Sequence, residues 1–209
     1  VSAVLNITPD HLNRHHTMEA YIQAKMDIAK NQTAEDVCVL NYEDKVTRNM
    51  AEKISASVIY FSSAHKLEKG IFLDGDSIIY KPVQDEEGIF VCKTSDLQIL
   101  GVHNYENVMA AVAMAAAYGV DMDIIRHTVT SFKGVEHRIE FVAEKDGVIY
   151  YNDSKGTNPD AAIKGIQAMV RPTILIGGGY DKQSDFHDWI RSFDGKVRYL
   201  VLIGATREQ

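Results

Sequence analysis

The chain has 209 residues, 45% of them hydrophobic and 24% charged, with a formal net charge of −7. These are ordinary globular proportions, so collagen-like, low-complexity and disordered classes are excluded, and the length allows two modest lobes. No apolar run approaches the roughly 20 residues that span a bilayer, and no Lys/Arg cluster supplies a basic face, so neither a membrane nor a nucleic-acid partner is expected; an anionic small substrate stays open, because local fields can oppose net charge.

In chain order, VSAVLNI reads as a strand already under way. Thr17 to Asn31 has helical period, with Met18, Tyr21, Ile22, Ile28 and Ala29 on one stripe. Asp36 to Asn41 and Ser57 to Phe61 are short buried strands flanking an amphipathic stretch, Asp44 to Ser55. Ile71 to Leu100 breaks at Asp74-Gly75, Pro82 and Glu87-Gly88, which predicts a meander. Asn104 to Tyr118 is the clearest helix, stopped by Gly119, and a second runs from Asp121 to Phe132. Cys38 and Cys92 lie in apolar, strand-like runs without CxxC spacing, so buried thiols of a reducing compartment are expected rather than a disulfide. With no signal-peptide pattern, a cytoplasmic location is expected.

A domain boundary is placed near Lys133-Gly134. Beyond it, Ile139 to Glu144 and Val148 to Asn152 flank Lys145-Asp146-Gly147, a hairpin signal. Asn158-Pro159 starts a helix that runs to about Met169, with Asn as N-cap and Pro at the first helical position. Strand Thr173 to Ile176 ends in Gly177-Gly178-Gly179, helix Ser184 to Phe193 follows, and strand Tyr199 to Ile203 closes a parallel α/β unit. Val1 is not methionine, and the last strand stops as a helix would start, so the chain is expected to be an internal piece of a larger protein.

Five stretches carry polar residues that suggest chemistry. NITPDHLNRHH follows an apolar strand, where open α/β sheets put ligands; Asp10 and His11 either ligate a metal or are simply solvated. Lys25 falls in line with the apolar stripe of its helix, so it either snorkels its ammonium to water or is a desolvated amine able to take up CO2 as a carbamate, an oxygen ligand suited to Mg²⁺. Asn104 and Asn107 stand three apart at a helix start. Capping accounts for Asn104; Asn107, a poor interior helix residue, has an amide that can read an adenine edge. Between a strand and a helix start, Asp153, Ser154, Lys155, Thr157 and Asn158 form an anion-favouring loop or a plain capped one. GGGYDK lets a ligand approach the backbone but is no phosphate loop, since GxxxxGK[ST] is absent.

In their order, NITPDHL, YIQAK, HNYEN, HRIE, NDSKGTNPDA and GGGYDK resemble the Mur ligases over essentially the whole chain, NDSKGTN being the most specific stretch. The resemblance implies an α/β fold: part of a P-loop-type central ATPase domain (residues 1–133), then part of a Rossmann-like C-terminal, amino-acid-binding domain (residues 134–209). It implies a monomeric ligase of peptidoglycan synthesis that uses ATP and Mg²⁺ to join D-glutamate to UDP-N-acetylmuramoyl-L-alanine through an acyl phosphate. Carried over residue by residue, His11 and a carbamylated Lys25 serve the chemistry as Mg²⁺ ligands, Asn107 meets the adenine, Arg138 reaches ATP and Asp153 takes the ribose. Lys155 lies in the phosphate-facing loop, and Thr157 and Lys182 grip D-glutamate. Gly156 departs from the family's alanine, which is expected to loosen the loop. The phosphate loop and an acidic Mg²⁺ ligand are expected upstream of Val1 and further D-glutamate contacts downstream of Gln209, so this piece alone is not expected to turn over. The rivals are another amino-acid ligase of the superfamily, including the folylpolyglutamate type, and a non-catalytic Mur-like nucleotide-binding module.

Overall fold

The computed structural model describes residues 1–9, 12–180 and 185–208, with Leu12 and Asn13 described as backbone only. It divides into two compact units, one of Val1–Gln98 and Asn104–Phe132, the other of Ile99–His103 and Lys133–Gln209.

The first unit is built on a six-stranded sheet in sequential order, β1 (Ser2–Val4), β2 (Val37–Asn41), β3 (Ser57–Ser62), β4 (Gly70–Asp74), β5 (Ser77–Lys81) and β6 (Ile89–Lys93). The first four strands are parallel and the last three form an antiparallel meander. In β2, Cys38, Val39 and Leu40 are fully buried, the continuous apolar run of a parallel strand covered on both faces. Between β1 and β2 run α1 (Leu12–His15), α2 (Met18–Met26) and a 3-10 turn, Asp27–Ala29; α3 (Lys45–Met50) follows β2. Residues 63–69 suffice to join the parallel strands β3 and β4, because β4 begins where β3 ends and pairs only through Phe61–Ile71 and Ser62–Phe72. The meander expected from the Gly and Pro punctuation is present, and it extends the parallel sheet.

The long helix, α4 (Val102–Ala117), buries Val108, Met109, Ala110, Val112 and Ala113. Gly119, at φ 87, ends it: its N–H donates to Ala116 and that of Val120 to Ala115, a left-handed stop that a Cβ would disfavour. The start differs from expectation. The helix begins at Val102, so Asn104 stands inside the first turn and is not its cap. In α5 (Met122–Ser131), capped by Asp121, Arg126 donates through Nη2 and Nε to the Phe90 carbonyl at 2.6 and 3.1 Å, covering part of the edge strand β6. The predicted stripe Met18–Ala29 is also corrected at one place. Regular helix gives way to the 3-10 turn at Asp27, and the change of pitch leaves Ile28 55% exposed.

In the second unit, β7 (Glu140–Lys145) and β8 (Val148–Asn152) form the expected hairpin, with Asp146 and Gly147 both at positive φ. Helix α6 (Pro159–Ala168) starts on the Asn158 cap, whose Oδ1 accepts from Ala161 N at 2.8 Å. The parallel pair β9 (Thr173–Gly179) and β10 (Val197–Gly204) is joined through α7 (His187–Arg191). β9 runs on through all three glycines instead of ending before them. At Gly178, φ 119, a Cβ would run into the Ile203 carbonyl, and Gly177 makes room for the Trp189 ring. Trp189 packs edge-on against Phe186 and Phe193.

Both cysteines are free and buried; burial pushes the Cys38 thiol up and that of Cys92 to about 11. Among the described residues, no helix is long and apolar enough to cross a membrane.

Candidate active site

In the first unit the polar residues gather past the carboxyl ends of the parallel strands, where open α/β sheets bind ligands. The loop after β1 is pinned where Ile7 N donates to Asp44 Oδ2 at 2.7 Å, while Asp44 Oδ1 caps α3 through Val46 N and Thr47 N at 2.7 and 3.2 Å. Asp10 and His11 lie outside the described residues. Lys25 is exposed, with its ammonium 5.3 Å from the centroid of the buried Tyr21 ring. The Lys25 amine thus lies at the surface beside an aromatic ring, an arrangement open to either of the two readings. Among the described residues, no group of three His, Cys, Asp or Glu side chains is placed to hold a metal.

Beyond β2 and β3, Glu43 accepts from the Ser62 hydroxyl, and both its oxygens stand 3.0 Å from His65 Nδ1. Burial pushes this carboxyl up; the Ser62 hydroxyl and His65 outweigh it and hold it below the usual carboxylate range. Ser63 Oγ donates to Glu106 at 2.6 Å, tying α4 to the end of β3 one residue before Asn107. Asn107 itself is exposed and donates to the buried Asn104 at 3.3 Å. Asn104 thus serves as a brace for its neighbour.

The second unit brings Arg138, Asp153 and Lys155 together. Arg138 is exposed and flanked by two non-glycine residues at positive φ, His137 at 67° and Ile139 at 46°; the second, β-branched, is a strained conformation of the kind that gathers at functional sites. The loop after β8 holds this turn from one side. Lys155 N donates to His137 O at 3.0 Å, and Ile139 N to Asp153 Oδ1 at 3.1 Å. From the other side Glu140 Oε2 accepts from His137 N at 2.8 Å and from Asn152 Nδ2 at 3.3 Å, and that amide lies 2.9 Å from His137 Nδ1.

Asp153 Oδ2 rests between two glycines: a Cβ at Gly156 would stand 2.8 Å from it and one at Gly165, inside α6, 2.7 Å. Gly156 therefore does more than loosen the loop, since any Cβ there would shift this carboxylate. Burial raises the Asp153 carboxyl above its ordinary value, with the Ile139 N–H and Arg138 pulling the other way. Lys155 and Thr157 are exposed, and Lys182 lies outside the described residues. The sequence reading passed over His103, Glu140 and Asn152. Burial, helped by Lys164 and Arg138, holds the His103 imidazole below its usual range. Glu140 closes the motif HRIE, Asn152 opens NDSKGTN and His103 opens HNYEN, but residue type alone did not single them out.

A parallel sheet with polar loops at its carboxyl ends, followed by a second unit with its own parallel strand pair, defines an α/β protein. Comparison with known proteins narrows this. Residues 1–115 match the Mur ligase middle domain and residues 137–209 the Mur ligase glutamate ligase domain; the chain belongs to the Mur ligase family. It is 63% identical over 209 residues to the UDP-N-acetylmuramoylalanine--D-glutamate ligase of Lachnoclostridium phytofermentans, covering 100% of this chain and 46% of that protein. It is 50% identical over 206 residues to the ligase of the same name from Clostridioides difficile, covering 99% and 45%. The chain thus spans about half the length of the curated relatives it matches. Among solved structures, MurF from Acinetobacter baumannii shares the fold with a TM-score of 0.70 and 20% identity, over 99% of this chain and 51% of that one. MurC from Thermotoga maritima does so with a TM-score of 0.61 and 17% identity, over 97% and 50%.

Proposed function

We propose that this chain is part of an ATP-dependent, cytoplasmic, monomeric ligase that joins D-glutamate to UDP-N-acetylmuramoyl-L-alanine in peptidoglycan synthesis. The observation that carries this reading is the identity to D-glutamate ligases along the entire chain. In it, residues 1–133 are the later part of the central ATP-binding domain and residues 134–209 the first part of the amino-acid-binding domain. The terminal phosphoryl group of ATP passes to the carboxylate of UDP-N-acetylmuramoyl-L-alanine. The D-glutamate amine attacks the resulting mixed anhydride, its proton goes to solvent, and phosphate leaves with the bonding pair.

The residues present suit a nucleotide. The Asp153 carboxylate, in a cradle that a side chain at 156 or 165 would fill, accepts from ribose hydroxyls. Arg138 and Lys155 offer cations to the phosphates, and the Asn107 amide reads the adenine edge. Thr157 and Lys182 orient the D-glutamate amine, an effect of position more than of acid–base chemistry. Lys25 as an ammonium would repel a cation; carbamylated, it offers the oxygen donors Mg²⁺ prefers, and with His11 it would hold that ion. When bound, Mg²⁺ neutralises charge on the transferring phosphoryl group.

The test is ATP- and Mg²⁺-dependent phosphate release by the intact protein with UDP-N-acetylmuramoyl-L-alanine, comparing D-glutamate, L-glutamate, L-lysine and L-alanine. Release with D-glutamate alone is expected. Release only with another amino acid would move the protein to a sister ligase, and none with any would favour a non-catalytic nucleotide-binding role.

A further inference from the structure

The backbone around Arg138 has one turn bond of its own, from Arg138 N to Val135 O at 3.1 Å, and it leaves the two neighbours of the arginine to be held from outside. His137 and Ile139, on either side, both lie at positive φ, a region that neither residue prefers and that a β-branched side chain makes worse. Such a turn persists only where its surroundings over-determine it. Two of the bonds that do so come from the loop already assigned to the nucleotide, from Lys155 N and Asp153 Oδ1. The others meet at Glu140. Its carboxylate takes the His137 N–H and the Asn152 amide, and that amide also reaches the His137 ring. Glu140 and Asn152 face each other as a cross-strand pair at the open end of the β7–β8 hairpin, so the brace is anchored in regular structure.

We propose that Glu140, assisted by Asn152, is a positioning residue for Arg138: its carboxylate locks His137 in the left-handed conformation and so aims the guanidinium that meets ATP. This rests on the reading that Arg138 binds ATP. In this role Glu140 acts on ATP through the arginine, its own contacts being His137 and Asn152.

The experiment is a double-mutant cycle in the intact ligase, reading KM for ATP, KM for D-glutamate and kcat by phosphate release. Losing one hydrogen bond to a carboxylate corresponds to about a tenfold effect or more. Glu140→Ala should therefore lower kcat/KM for ATP about tenfold and leave the KM for D-glutamate within about twofold. Glu140→Gln, which keeps an acceptor for His137 N, should recover most of that loss. Asn152→Ala should give the same pattern more weakly, which keeps the idea open to test if Glu140→Ala folds poorly. Adding Glu140→Ala to Arg138→Ala should cost little beyond Arg138→Ala alone, because residues acting through one another are not additive. A full tenfold loss on top of Arg138→Ala, or an equal rise in both KM values, would overturn the positioning role. If Arg138→Ala leaves the KM for ATP unchanged, the failure lies instead in the assignment of Arg138, and the role of Glu140 falls with it.

Discussion

Asp44 gives a test of how one side chain couples the loop after β1 to the sheet. One oxygen caps α3 with bonds of 2.7 and 3.2 Å to Val46 N and Thr47 N, and the other takes the Ile7 N–H at 2.7 Å. Removing a helix cap costs about 1 kcal/mol, and losing a hydrogen bond to a charged acceptor about 1.5–3 kcal/mol. Asp44→Ala loses both, so about 2.5–4 kcal/mol is expected. Asparagine caps as well as aspartate, but its amide nitrogen would confront the Ile7 N–H donor to donor. Asp44→Asn should therefore keep the cap, lose the Ile7 bond, and cost about 1.5–3 kcal/mol. In a urea titration of this chain these losses shift the midpoint by on the order of 1 M. The assay can tell the units apart, because the single tryptophan, Trp189, belongs to the second one. Far-UV circular dichroism should show the early transition of the first unit, and tryptophan fluorescence should keep its wild-type midpoint. Wild-type stability for Asp44→Asn would refute the reasoning, since the Ile7 bond would then contribute nothing; so would a variant order with Asp44→Asn below Asp44→Ala.

Three further outcomes are expected. Because burial raises the Asp153 carboxyl in the fold, its charged form is disfavoured there, and native stability falls as pH rises through that titration. Asp153→Asn, which can still accept from Ile139 N, should therefore melt at or above the wild-type temperature at neutral pH, with the gain vanishing in acid; a wild type that melts higher at neutral pH would contradict this. Gly178→Ala forces a Cβ against the Ile203 carbonyl at φ 119, so a loss of about 3 kcal/mol or more is expected, seen as an early Trp189 fluorescence transition. A wild-type midpoint would mean β9 and β10 separate freely there. Lys25→Ala in the intact protein should nearly abolish phosphate release, with partial rescue by a short carboxylate such as formate; full activity without rescue would remove the carbamate role.

Much of the fold was legible because its signals are local. The Asp146-Gly147 turn, the Asn158-Pro159 helix start and the Gly119 stop each depend on a few adjacent residues whose allowed φ and missing or added hydrogen-bond groups decide the outcome. The strands around Cys38 and Cys92 announced themselves by apolar runs. Local signals failed where two conformations compete over a turn. Asn104 has the chemistry of a cap, yet α4 winds two residues further back. Ile28 has the period of a buried residue, yet a tightened turn carries it outward.

The candidate site divides along the same line. Sequence alone picked out Arg138, Asp153, Lys155 and Asn107 by their motifs, because residue type and order survive in a linear string. That Asp153 lies between Gly156 and Gly165, that Glu140 clasps His137, and that Asp44 holds Ile7 across 37 positions were decided by the tertiary structure. Such contacts depend on strand register and on which backbone groups are left unpaired when elements meet, and neither quantity exists until the chain has folded.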